Sequence, residues 1–209
     1  MNNPNPLGVD HVYGPDQLGG PLEPWIVRGA IAHIDEHLAA LGGGGVVFEY
    51  GCGSGTPWFV DRSAVTYSIE TCPAWGAKVC EYLHSTRRVT GYIMLANEGS
   101  NMPPLIHCMG PSEGFDVVLV DGRRRVECIE HASGAFRGGS VTPELCRVKP
   151  GGLLVLDNAE RDRYAKAVAA VDALGWDRTD HKTPDPRHAS SQYGEICTAV
   201  WKRPRKEGE

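Results

Sequence analysis

Two hydrophobic rhythms alternate along the chain. Short apolar runs, bounded by glycine, proline or charged residues, occur at Val46–Tyr50, Ala64–Glu70, Val89–Leu95, Phe115–Asp121, Leu153–Leu156 and Gly194–Lys202. Each reads as a β-strand. Between them, apolar residues recur at helical spacing. Trp25, Ile26, Ala30, Ile31, Ile34 and Leu38 predict a helix from Glu23 to about Leu41. Thr56 is placed to cap a helix through Trp58, Phe59 and Val60. Pro73 can open a helix carrying Trp75, Val79, Tyr82 and Leu83. Further helices are predicted from Arg124 to about Phe136 and from Glu160 to Leu174. Pro150-Gly151-Gly152 reads as a turn into a strand that ends in Asp157. Asn97–Gly114 and His181–Tyr193 read as loops.

Strands alternating with helices predict an α/β domain, with a mostly parallel sheet covered by helices on both faces. Phe115–Asp121 is apolar almost throughout, as expected of a central strand buried on both sides. Residues 1–22, rich in Asn, Pro and Gly, read as an irregular arm, and 204–209 as a charged tail. One domain, 23–203, holds the rest.

Composition narrows the class. The 209 residues suffice for one sizeable core, and 41% hydrophobic with 22% charged residues is a globular balance. A net charge of -5 disfavours a nucleic-acid partner and favours a small-molecule substrate. No apolar run predicts a membrane span or a signal segment, so a soluble, cytoplasmic protein is expected. The seven cysteines form no Cys-x-x-Cys pair, which points away from zinc and from a disulfide framework. The sequence leaves a homo-oligomer open.

Chemistry concentrates at one stretch, Glu49-Tyr50-Gly51-Cys52-Gly53-Ser54-Gly55, followed by Thr56. Alternating glycines let a backbone bend tightly and approach a ligand closely. The predicted strands end in acids: Glu49 and Glu70, then Asp121 and Asp157. Ligands of parallel sheets bind at that edge. Glu70, followed by Thr71, stands about twenty residues after the glycines, where a carboxylate can take two ribose hydroxyls. An acid just before the turn would repel a pyrophosphate, but it suits the ammonium of a methionine moiety.

On these residues the chain resembles the class I S-adenosylmethionine-dependent methyltransferases. Glu49–Gly55 is similar to their first motif, Glu70 to their ribose acid, Phe115–Asp121 to their fourth strand, and Pro150–Gly152 to the turn before the fifth. The resemblance implies a Rossmann-like three-layer αβα fold with seven strands, the last antiparallel. It implies S-adenosyl-L-methionine as cofactor, held by Glu49, Tyr50, Gly51, Cys52, Gly53, Ser54, Gly55, Thr56, Glu70, Thr71 and Asp121, with Asn97 and Glu98 meeting the adenine.

For the transfer itself, Asp121, Asp157 and Asn158 sit at neighbouring strand ends. Their oxygens form a set suited to one Mg²⁺, with positions left for a substrate oxygen. The set is similar to that of catechol-type and sugar O-methyltransferases, although Arg123, Arg124 and Arg125 stand where the catechol-type enzymes carry a lysine. The competing reading makes the same three residues helix caps. Asp121, His107 and His188 are the candidate catalytic groups. The resulting expectation is methyl transfer to an oxygen of a small molecule. The alternatives are a non-catalytic S-adenosylmethionine-binding module, or an RNA or protein methyltransferase that uses the arginines.

Overall fold

The computed structural model describes residues 22–96, 102–184 and 195–205. Seven strands form one sheet. At its centre β1 (Val46–Tyr50) runs parallel to β2 (Val65–Glu70) on one side and to β4 (Phe115–Val120) on the other. The order continues outward through β3 (Gly91–Leu95) at one edge. At the other it continues through β5 (Val148–Asp157), β7 (Glu195–Lys202) and β6 (Asp177–Pro184). β7 alone runs antiparallel to its neighbours, so the sheet matches the expected layout.

Among the described residues five α-helices cover the sheet: α1 (Arg28–Ala40), α2 (Gly55–Val60), α3 (Pro73–Ser85), α4 (Arg125–Ser133) and α5 (Ala165–Asp172). Phe48, Tyr50, Val118, Val120, Leu154 and Leu156 pack on one side with Cys128, Ile129, Val168 and Val171 of α4 and α5. Val47, Val117, Leu119, Leu153 and Val155 pack on the other with Ala30, Ile34 and Leu38 of α1 and with Trp58 and Phe59 of α2. Both faces are buried, which is why the central strands carry no polar alternation.

Several boundaries differ from the sequence reading. The seven strands that the resemblance implies include β6, whose position the apolar runs did not give. It is an edge strand exposed along almost its whole length, so its ladder with β7 holds it and no apolar pattern announces it. His181 therefore lies in a strand and not in a loop. Pro150–Gly152 lies inside β5 as an irregularity. The register with β4 shifts there, and Gly151 takes a left-handed conformation. The helix expected from Glu160 begins at Ala165, after a 3₁₀ turn at Asp162–Tyr164. The one expected from Glu23 begins at Arg28. Thr56 does not cap α2, which opens one residue earlier at Gly55.

The described part of the Asn97–Gly114 loop contains a 3₁₀ turn, Pro103–Cys108. Buried Arg147 fixes it. Its guanidinium donates to the carbonyls of Ile106, Met109, Pro111 and Ser112 at 2.7–3.2 Å, and the Tyr50 hydroxyl donates to Pro103 O at 2.6 Å. Arg147→Met removes the four guanidinium bonds and leaves the Tyr50 bond in place. It is expected to lower unfolding free energy by about 2–3 kcal/mol in urea melts, and unchanged stability would mean that the loop is held elsewhere.

Candidate functional site

The strand order reverses between β1 and β4, and this is where an α/β sheet opens a crevice at its carboxyl edge. The backbones meet closely there. Gly51 has φ +97°, and a Cβ on it would stand 3.0 Å from Gly122 Cα. A Cβ on Gly122 would come within 2.7 Å of Tyr50 O. Both positions therefore require glycine. Beyond them a cleft of about 550 Å³, open solvent included, is lined by Pro24, Trp25, Glu49, Gly51, Cys52, Gly53, Ser54, Gly55, Trp75, Leu119 and Asp121.

Glu49 is the buried acid of this cleft. It lies opposite Ser68 of β2 and Leu119 of β4. Ser68 Oγ donates to Glu49 Oε1 at 2.6 Å, and Thr56 Oγ1 donates to the same oxygen. Thr56 Oγ1 also accepts from Gly53 N at 2.9 Å, so one hydroxyl ties the acid to the glycine turn. Burial raises the Glu49 carboxyl to about 7; the two hydroxyls pull it down and Glu70 pushes it up.

Glu70 is tied to the turn as well. Its carboxylate accepts from the backbone N–H of Thr71 and Cys72 at 2.7 Å each, and from Cys52 N at 3.2 Å. Trp75 Nε1 donates to Cys52 O at 2.7 Å, which fixes the turn from α3. Tyr50, Thr56, Glu70 and Thr71 are not among the cleft-lining residues. The Tyr50 side chain is buried and points its hydroxyl at Pro103, so only its backbone reaches the turn. Asn97, Glu98 and His188 lie outside the described residues.

Asp121, Asp157 and Asn158 do come together, but around a side chain and in neither arrangement the sequence offered. Arg125 Nη2 donates to Asp121 Oδ1 at 2.7 Å and to Asp121 O at 2.9 Å. Nη1 donates to Asp157 O at 2.5 Å, Asn158 Oδ1 at 3.1 Å and Asp157 Oδ2 at 3.3 Å. Nε donates to Gly122 O at 3.0 Å. All the N–H donors of a guanidinium are thus engaged. The three residues therefore do not fit a divalent cation as arranged, because a guanidinium fills the space among them. Among the described residues no group of three or more His, Cys, Asp or Glu is placed to hold a metal. Nor does Asp121 cap α4, whose N-cap Arg124 has φ +53° and receives no side-chain cap bond. Burial raises the Asp121 carboxyl, Asp157 raises it further, and Arg125 opposes both.

His107 does not reach the cleft lining. Its Nε2 lies 3.2 Å from Nδ1 of His131 on α4, and burial lowers both imidazoles. Sequence reading missed Pro24, Trp25, Trp75 and Leu119 as cleft walls, and Ser68 as a partner of Glu49. Ser68 carried a signal: Thr66, Ser68 and Glu70 alternate as polar residues along the strand, and all three are buried while Val65 and Tyr67 are half-buried.

A carboxyl raised in the folded state binds protons that the unfolded chain releases. Stability is therefore expected to fall as pH rises from about 4.5 to 7, by up to ~3 kcal/mol from Glu49 alone. Glu49→Gln, which keeps an oxygen for both hydroxyls, is expected to flatten that part of the profile in urea melts. An equal slope in both proteins would refute the assignment.

No family model and no curated protein sequence matches the chain. Solved structures do. It is similar to a precorrin 8w decarboxylase from Methanobacterium thermoautotrophicum (17% identity, TM-score 0.58, covering 88% of this chain and 94% of that one). It is also similar to an rRNA methylase from Streptococcus thermophilus (15%, TM-score 0.54, covering 82% and 95%). A precorrin-6y C5,15-methyltransferase from Geobacter metallireducens aligns at 14% identity and TM-score 0.54, covering 80% and 86%. The chain thus has the Rossmann-like fold of class I S-adenosylmethionine-dependent methyltransferases.

Proposed function

We propose that the chain is an S-adenosylmethionine-dependent methyltransferase that acts in the cytoplasm on a small molecule and delivers the methyl group to an oxygen. One observation carries the reading: a buried acid, Glu49, lines a glycine-walled cleft at the switch point of the sheet. A carboxylate there attracts an ammonium and repels a pyrophosphate, which favours a methionine-bearing nucleoside over a dinucleotide. The residues fit such a group. A Cβ on Gly53 would enter open space, so the turn leaves its backbone open to a ligand.

In this reading Glu49 takes the ammonium and the backbone at Gly51 and Gly53 gives close approach. Glu70 takes the ribose with the acceptor capacity that its three amides leave. The bound cofactor supplies a methyl group on a sulfonium. Asp121 stands in the cleft with its carboxyl raised, so it can hold a proton taken from an acceptor hydroxyl near neutral pH. Its backbone N–H donates to Tyr50 O at 3.3 Å, and Arg125 holds its carboxylate, so the base is fixed in place. The net charge of -5 supports a small acceptor over RNA. Free thiols at all seven cysteines agree with a reducing compartment. Among the described residues no helix is long and apolar enough to cross a membrane.

Calorimetric titration tests the cofactor. Affinity for S-adenosylmethionine is expected to be about eightfold higher at pH 7.5 than at pH 6, because Glu49 ionises across that interval. Glu49→Gln should bind weakly at both. Binding of a nicotinamide dinucleotide in place of S-adenosylmethionine would overturn the reading. Asp121→Asn is expected to cut turnover about 100-fold or more while leaving cofactor affinity within about threefold, measured as S-adenosylhomocysteine release against a panel of hydroxylated acceptors. Equal turnover would remove Asp121 as the base.

A further inference from the structure

At the ends of β4 and β5 the chain has assembled the oxygen set of a hard-cation site and closed it with its own cation. A divalent ion such as Mg²⁺ needs its oxygens at about 2.0–2.1 Å from one centre. Here the oxygens of Asp121, Asp157 and Asn158 already lie 2.7–3.3 Å from guanidinium nitrogens of one residue. The Arg125 side chain is only 12% exposed. Guanidinium and metal ion cannot occupy the same centre. Arginine also stays charged at any pH at which the protein folds, so it offsets one of the two carboxylate charges without a bound ion.

The arrangement reaches past the carboxylates. The second oxygen of Asp157 accepts from the Thr198 hydroxyl of β7 at 2.9 Å. That hydroxyl oxygen accepts in turn from Val27 N at 3.1 Å, immediately ahead of α1. The segment before Val27 contains Pro24 and Trp25, which wall the cleft, and Trp25 is half exposed there. The segment is pinned at its other end by Ser54 Oγ, which donates to Glu23 O at 3.0 Å. Pro24 also packs on Gly55, where a Cβ would stand 3.2 Å from Pro24 Cα. Arg125 on α4 is therefore joined through Asp157 and Thr198 to the wall on the opposite side of the sheet.

We propose that Arg125 is an internal cation standing in place of a divalent metal, a positioning residue that holds Asp121 in the cleft and, through Asp157 and Thr198, sets the Pro24–Trp25 wall. On the methyl-transfer reading, which this proposal does not need, the acceptor is then not required to present two neighbouring oxygens to a metal. A single hydroxyl facing Asp121 is enough.

The test uses the full chain without cofactor, so it succeeds or fails independently of the methyl-transfer reading. Mn²⁺ serves as the probe, followed by its paramagnetic resonance signal and by thermal unfolding. The unmodified protein is expected to bind no Mn²⁺ below about 1 mM and to melt at the same temperature with Mg²⁺ or with chelator. Arg125→Ala frees the oxygens. It is expected to melt lower, to bind Mn²⁺ at least tenfold more tightly than the parent, and to regain part of its melting temperature when Mn²⁺ is added. Arg125→Lys keeps the charge and is expected to bind no Mn²⁺. Stoichiometric Mn²⁺ binding by the unmodified protein, abolished by Asp121→Asn, would overturn the proposal. Should Arg125→Ala fail to fold, Thr198→Val reads the relay by itself: faster hydrogen exchange at the Val27 amide supports it, and unchanged exchange refutes it.

Discussion

Four carboxylates reach one edge of one sheet, and the rest of the site follows from how each is satisfied. Buried charges of one sign repel strongly in a low-dielectric interior, so every acid needs a partner or a proton. Glu70 is met by backbone amides of the two turns beside it. Asp121 and Asp157 share one guanidinium. Glu49 receives only two hydroxyls and its carboxyl is raised to about 7, while that of Asp121 is raised by burial despite the guanidinium. The unequal solutions give unequal roles.

This edge exists because two backbones can touch. Gly51 and Gly122 allow β1 and β4 to end side by side at the point where the strand order reverses. Side chains on either would separate the strands and close the crevice. The hydroxyls of Ser68 and Thr56, the indole of Trp75 and the three amides on Glu70 then hold the turn rigid from β2, α2 and α3. A turn held in this way would lower the ordering cost of the ligand proposed for it.

The parts of this design that were legible in the sequence are local. The acid and glycines of Glu49–Gly55 sit in one heptapeptide, and the central strands are apolar because both their faces are buried. What escaped reading depends on direction and on distant contacts. Three consecutive arginines follow Gly122, and the sequence does not say that Arg125, after the left-handed Arg124, is the one that meets Asp121 and Asp157. The Asp121, Asp157 and Asn158 convergence was visible, while the residue at its centre was not. Trp25 keeps helical spacing with α1, yet it precedes that helix and walls the cleft. β6 is an exposed edge whose order comes from its backbone ladder, and composition carries no trace of it.

The fold shared with methyltransferase structures limits the possibilities without selecting a reaction, because one fold serves many chemistries. Glu49 is the proposed seat of a cationic ligand group. Calorimetry of S-adenosylmethionine binding at pH 6.5, repeated in buffers of different ionisation enthalpy, measures it most directly. A Glu49 carboxyl that holds a proton in the free protein and gives it up to pair with an ammonium must release most of one proton per ligand bound. Binding with no proton released would contradict the account.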